Sequence, residues 1–219
     1  MTANFPCGTK LDSPVPTQYN ECITARGITA MRILMLGNSF TYFNDMPEIL
    51  AALTGWEVVS HTRGGAYLGE HLDPSSELGL KTLPALRDQH FDYVILQGQS
   101  QEPFRTRTQF LEAARGLCPL IRAAGATPVF YATWAYRDGT HKLSETGLSY
   151  AQMLEKLTEG YEAAARENDA LLAPVGKAFA DTRRKLDLYV QDDYHPSQTG
   201  SLLAATVLAD CIRAHAHRL

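Results

Sequence analysis

Ile33-Leu34-Met35-Leu36-Gly37-Asn38-Ser39-Phe40-Thr41 is an apolar run that stops at a small, polar turn carrying a serine. Apolar character over Met31–Leu36, interrupted by one arginine, is the pattern of a parallel strand buried on both faces. Just beyond it, Asn44-Asp45-Met46-Pro47-Glu48 has the form of a helix start: a polar cap, an early proline, then an acidic residue. That helix is expected to reach about Leu53, before Gly55. Further apolar runs predict strands at Trp56–His61, Phe91–Leu96 and Thr127–Thr133, and a short fifth strand or turn at Leu171–Val175. Between them lie amphipathic stretches. Thr108–Ala124 carries Phe110, Leu111, Ala114, Leu117, Leu120 and Ile121 on one face. Leu148–Asn168 carries Tyr150, Met153, Leu157, Tyr161 and Ala164. A last helix, Ser197–His215, is entered through Pro196. Strands alternating with helices predict an α/β fold: a three-layer α/β/α sandwich around a parallel sheet of about five strands.

Bulk properties narrow the field. The chain has 219 residues, 45% hydrophobic and 20% charged, as in an ordinary globular domain. Residues 1–30 are rich in proline and glycine and lack periodicity, so they read as an extended arm beside a domain of residues 31–219. A net charge of -4 with interspersed signs provides no basis for nucleic-acid or anionic-membrane binding. No apolar run is long enough to span a bilayer, and no basic patch precedes an apolar stretch at the start. A cytoplasmic location is the default expectation. Cys7, Cys22, Cys118 and Cys211 form no CxxC pair and match no zinc spacing. Cys118 and Cys211 read as buried thiols, and Cys7 with Cys22 could pair. No metal or organic cofactor is expected.

The chemistry lies in two distant segments. Ser39 follows the first strand, and Asp192-Asp193-Tyr194-His195-Pro196 places an aspartate three residues before a histidine. A serine hydroxyl needs an adjacent base to attack a carbonyl, and a carboxylate can orient that base and stabilise its cation. Ligands of open parallel sheets bind beyond the carboxyl ends of the strands. Ser39, Gly64-Gly65, Gln97–Gln101 and Trp134 with Tyr136 all follow strand ends, so their loops are expected on one rim. Taken alone, Ser39 could cap a helix, Asp192 and His195 could be a surface pair, and Gly64-Gly65 could be a plain turn. Asp193 reads as solvent-facing and as the fallback orienting acid. His61 is a pocket candidate at the rim, and His71 a structural residue.

These segments resemble the SGNH (GDSL-like) hydrolase superfamily over roughly residues 31–215. The family's first block, Gly-Asp-Ser, stands here as Gly37-Asn38-Ser39. Its last block, Asp-x-x-His-Pro, stands as Asp192 to Pro196, and its glycine block matches Gly64-Gly65. The resemblance implies a flavodoxin-like SGNH fold and a Ser39–His195–Asp192 triad. It also implies an oxyanion hole from the backbone N–H groups of Ser39 and Gly65 and a third donor after the third strand. The family's asparagine at that third place is missing. The run Gln97-Gly98-Gln99-Ser100-Gln101 resembles that of carbohydrate acetylesterases and offers Gln99 or Gln101, whose amides supply the same NH₂ donor on a longer stem. Trp134 and Tyr136 are candidates for stacking on a sugar. The expected activity is hydrolysis of small acyl esters, acetyl foremost, on a small-molecule or carbohydrate substrate. A lipase or thioesterase with a longer acyl site, and a non-catalytic glycan-binding module, are the alternatives.

Overall fold

In the computed structural model, residues 31–218 are described. The arm expected over residues 1–30, with Cys7 and Cys22, lies outside them. Five runs form strands: β1 (Arg32–Gly37), β2 (Glu57–Thr62), β3 (Tyr93–Leu96), β4 (Thr127–Tyr131) and β5 (Leu171–Ala173). They make one all-parallel sheet in the order β2-β1-β3-β4-β5. The helices are α1 (Ser39–Tyr42), α2 (Met46–Thr54), α3 (Glu77–Asp88), α4 (Glu102–Arg105), α5 (Arg107–Ala123), α6 (His141–Ser144), α7 (Tyr150–Glu167), α8 (Val175–Thr182) and α9 (Gln198–Ala216).

Strand side chains point alternately to opposite faces, which builds two cores from one sheet. Ile33, Met35, Tyr93, Ile95, Val129 and Tyr131 pack with Met46, Leu50, Met153, Phe179 and Leu208 of the helices on one face. Leu34, Leu36, Val94, Leu96 and Phe130 pack with Leu86, Phe110, Leu117 and Ile121 on the other. This is the expected three-layer sandwich. None of the described helices is long and apolar enough to cross a membrane.

Two helices extend the sequence reading. Glu77–Asp88 is helical although Gly79 and Pro84 punctuate it; Ser76 caps it by accepting the Gly79 N–H. The run Leu171–Val175 divides at Pro174, with a strand before it and α8 after it. The reversal in strand order is what places the site. From β1 the chain steps outward to β2, then returns to β3 on the other side of β1. The loops leaving β1 and β3 therefore diverge and leave a crevice at their carboxyl ends. Ser39 and the glutamine run stand at that crevice.

Candidate active site

β1 ends at Gly37, and the chain turns at once into α1. Asn38 caps that helix: its Oδ1 accepts the Phe40 N–H at 3.1 Å, and its C=O accepts those of Thr41 and Tyr42. Ser39 is thus the first helical residue, not the cap. Its own N–H carries no hydrogen bond to another described residue, as expected of a first-turn amide. Gly37 is required by close approach. A Cβ there would lie 2.5 Å from Thr41 Oγ1 and 2.6 Å from Gln97 Oε1.

That Gln97 oxygen is the anchor of the turn. It accepts the Asn38 N–H and the Thr41 hydroxyl, both at 2.9 Å, while Gln97 Nε2 donates to the Gly98 C=O. Asn38 reaches outward in turn. Its Nδ2 donates to the C=O of Ala66 at 3.0 Å and of Gly98 at 3.4 Å, tying the loops after β2 and β3 to the serine turn. An aspartate at this position could not donate to either carbonyl.

The histidine arrives on the loop before α9. Asp192 Oδ1 accepts the N–H groups of Tyr194 (3.1 Å) and His195 (2.9 Å), which is what the three-residue spacing allows. Its other oxygen, Oδ2, stands 2.7 Å from His195 Nδ1. His195 Nε2 lies 2.8 Å from Ser39 Oγ. A carboxylate only accepts, so the ring proton sits on Nδ1 and Nε2 is left to accept the serine proton. Burial pushes the Asp192 carboxyl up, but hydrogen bonds from the His195 ring and from the two N–H groups outweigh it, so the carboxyl sits below its ordinary value. Asp193 is committed elsewhere: its φ is +68°, its C=O accepts the Arg137 N–H, and its carboxylate pairs with the Arg137 guanidinium at 3.0 Å.

Aromatic rings surround the imidazole. Phe43 lies flat on it (centroids 4.5 Å, 9° between planes), Tyr194 approaches at 4.1 Å, and the Phe40 ring meets it edge-on at 5.6 Å.

Gly65, Gln99 and Gln101 lie in the loops that leave β2 and β3. Gly65 is exposed, with φ +69°, in a turn closed by the Ala66 N–H on the Arg63 C=O. This turn lies against α1: a Cβ on Gly64 would stand 3.3 Å from the Tyr42 hydroxyl. Gln99 Nε2 donates to Ser100 Oγ, and its Oε1 accepts the Gln101 N–H. Gln101 Nε2 donates to the Tyr136 hydroxyl at 3.1 Å, and its Oε1 accepts from Arg105. Each amide has one N–H committed in this way. The buried Glu102 fastens this loop to the preceding one, accepting the N–H groups of Gln99 (2.8 Å) and Leu68 (3.1 Å). Burial raises its carboxyl above the ordinary range, against those two donors.

The sugar-stacking role expected of Trp134 does not fit. Its ring is fully buried between Phe40 (4.7 Å) and Phe179 (4.1 Å), so neither face meets solvent. Its Nε1 donates to the Tyr194 C=O, which makes it a support under the histidine loop. Tyr136 is also buried; its hydroxyl bonds Ser100 and Gln101, leaving its ring no open face for a sugar. An apolar run before a turn draws aromatics into the core as readily as to the rim, and sequence does not separate the two. From the sequence, Glu102 and Phe43 receive no role, Gln97 is only one of a rim run, and Asn44 is only part of a helix start, whereas no side chain caps α2. Gln97 has one usable signal: a polar residue directly after a buried strand needs a partner.

His61 and His71 share one hydroxyl, that of Thr82. Thr82 Oγ1 is 3.2 Å from His61 Nδ1 and 2.9 Å from His71 Nδ1. Among the described residues no group of three or more His, Cys, Asp or Glu side chains is gathered to hold a metal ion.

No family model and no curated protein matches the chain. Solved structures do. A Slackia heliotrinireducens protein assigned by name to the SGNH hydrolases is 44% identical, over 84% of this chain and 99% of that one, with a TM-score of 0.79. A DUF4886 family protein from Bacteroides uniformis, at 18% identity over 83% and 82% of the two chains, has a TM-score of 0.62. An acetylxylan esterase from Geobacillus stearothermophilus, at 14% identity over 83% and 94%, has a TM-score of 0.58. The last two share the fold. The first is close enough in sequence over nearly its whole length to carry the family as well: this chain belongs to the SGNH hydrolases.

Proposed function

We propose that the protein is a serine esterase that hydrolyses small acyl esters, acetyl foremost, with carbohydrate as the alcohol class. The observation that carries the reading is the continuous relay from Ser39 Oγ to His195 Nε2 (2.8 Å) and from His195 Nδ1 to Asp192 Oδ2 (2.7 Å). Both contacts are within general-base reach. Ser39 Oγ attacks the ester carbonyl as His195 Nε2 takes its proton. The Asp192 carboxylate stabilises the imidazolium through Nδ1–H. His195 then protonates the departing alkoxide, leaving an acyl group on Ser39. Water, deprotonated by the same nitrogen, attacks that acyl group, and its collapse returns the proton to Ser39 and releases the acid. The oxyanion of both steps is received by the Ser39 and Gly65 N–H groups and by the uncommitted amide N–H of Gln99 or Gln101. One such donor typically contributes about 10²–10³ in turnover.

A small acyl group is favoured by the Gln97-Gly98-Gln99-Ser100-Gln101 run, similar to that of carbohydrate acetylesterases, and the fold is shared with an acetylxylan esterase. The test is hydrolysis of 4-nitrophenyl esters from acetate to decanoate by the wild type and Ser39→Ala. Rate concentrated on acetate and lost in Ser39→Ala is the expected result. Unchanged hydrolysis in Ser39→Ala would sink the reading. A preference for decanoate would move it to a lipase or thioesterase, and no labelling of Ser39 by a fluorophosphonate would move it to a binding module.

A further inference from the structure

We propose that Asn44 and Phe43 form a clasp that fixes His195 against Ser39, as positioning residues. The proposal rests on the reading of Ser39 and His195 as nucleophile and base. These two residues are 156 positions apart. Their 2.8 Å contact is therefore set by whatever holds the loop before α9 against the turn after α1.

That turn, Phe43–Asp45, is strained. Asn44 (φ +54°) and Asp45 (φ +55°) are both in the left-handed region, which most side chains with a Cβ avoid and which asparagine and aspartate tolerate best. Two adjacent residues in that region are held there only by the surrounding structure. The polar side chains do not cap α2, the ordinary use of such residues before a helix. Instead Asn44 Nδ2 donates to the C=O of Pro196 (2.9 Å) and to Ser201 Oγ (2.8 Å). Ser201, buried in the first turns of α9, passes its own proton to the Phe43 C=O at 3.2 Å. A closed circuit thus joins the residue that follows His195 to the residues that follow α1.

Phe43 rides on the same turn and covers a face of the His195 ring at 4.5 Å. Ser39 and Asp192 hold the imidazole by its two nitrogens, in its own plane. A flat ring on its face opposes rotation out of that plane, which the two hydrogen bonds resist poorly. A glycine at position 44 would adopt its left-handed backbone without strain. It would lack the amide, which is the part that reaches the histidine loop. The strain is therefore retained together with a side chain that reaches Pro196, which is the arrangement expected of a positioning device and not of a bare linker between α1 and α2.

The experiment compares wild type, Ser39→Ala, Asn44→Gly, Asn44→Asp, Phe43→Leu and Phe43→Tyr on 4-nitrophenyl acetate, with circular dichroism melts on each. Asn44→Gly removes the clasp and relieves the strain at position 44, leaving Asp45 in the left-handed region. Asn44→Asp keeps a residue that tolerates the left-handed region but turns a donor into an acceptor facing a carbonyl. In both, kcat is expected to fall on the order of 10²-fold with KM little changed, the loss that a misplacement of about 1 Å produces. The melting temperature of Asn44→Gly is expected to fall far less than its kcat. Phe43→Tyr, which keeps the flat ring, recovers rate that Phe43→Leu loses. Wild-type kcat in folded Asn44→Gly and Asn44→Asp, beside an inactive Ser39→Ala, would overturn the clasp and leave the esterase reading standing. So would a kcat loss that fluorophosphonate titration attributes wholly to a smaller folded fraction. If Asn44→Gly unfolds, equal kcat in folded Phe43→Leu and Phe43→Tyr overturns the clasp. An active Ser39→Ala sinks the esterase reading instead.

Discussion

Replacing Gln97 with leucine isolates the anchor beneath the serine turn. Gln97 is fully buried, and leucine has a similar volume, so little cavity is created. What is removed is an acceptor shared by two donors, the Asn38 N–H and the Thr41 hydroxyl, each at 2.9 Å. Asn38 and Thr41 are themselves buried, so water cannot replace the lost oxygen. A buried donor left without a partner costs about 1–3 kcal/mol, so the pair costs about 2–6 kcal/mol. In a domain of this size each kcal/mol lowers the melting temperature by about 2–4 °C, which predicts a drop of roughly 4–24 °C. Turnover of 4-nitrophenyl acetate should fall as well, because Asn38 carries Ser39. The measurement is a thermal melt by circular dichroism at pH 7, paired with urea unfolding to check that the m-value is unchanged. A drop smaller than about 2 °C would refute the argument, since it would mean that neither donor depends on Gln97.

Other expectations follow from the same geometry. Asp192→Asn removes the carboxylate that holds His195 Nδ1–H and should lower kcat by about 10²–10⁴-fold with KM little changed; kcat within a factor of about two of wild type would refute its role. Burial, with a smaller push from His61 and an opposing pull from Glu70, lowers the His71 imidazole from 6.5 to about 4. The fold therefore favours the neutral ring. Its contribution is complete above pH 6.5 and is lost as pH falls toward 4, a loss of about 3 kcal/mol. Urea unfolding at pH 7 and pH 4.5 should show this in the wild type and less of it in His71→Gln. Equal losses in both would assign the pH dependence to other groups.

The sheet was legible because burial on both faces leaves a strong mark. Val94-Ile95-Leu96 admits no polar residue, and β3 spans it. The helix Glu77–Asp88 was less legible: Gly79 and Pro84 break its pattern, and packing overrides their propensity. In the site, Asp192 and His195 were readable because they are local: three residues of spacing let one carboxylate hold the backbone and ring of the same loop. Gln99 and Gln101 were readable only as candidates. Their amides are partly spent on Ser100 and Tyr136, partners set by how the β3 and β4 loops meet.

Sequence by itself determined the alternation that dictates a parallel sheet, the serine directly after the first strand, and the aspartate–histidine spacing. All of these are short-range properties, set by side-chain periodicity and by chain geometry within a few bonds. Tertiary structure alone decided that the strand order reverses between β1 and β3, that Trp134 is buried under the histidine loop, and that Asn44 reaches Pro196 across 152 positions. The physical reason is that contacts between distant segments depend on the summed packing of the whole core. The 2.8 Å between Ser39 and His195 is the product of that packing, and no local pattern encodes it.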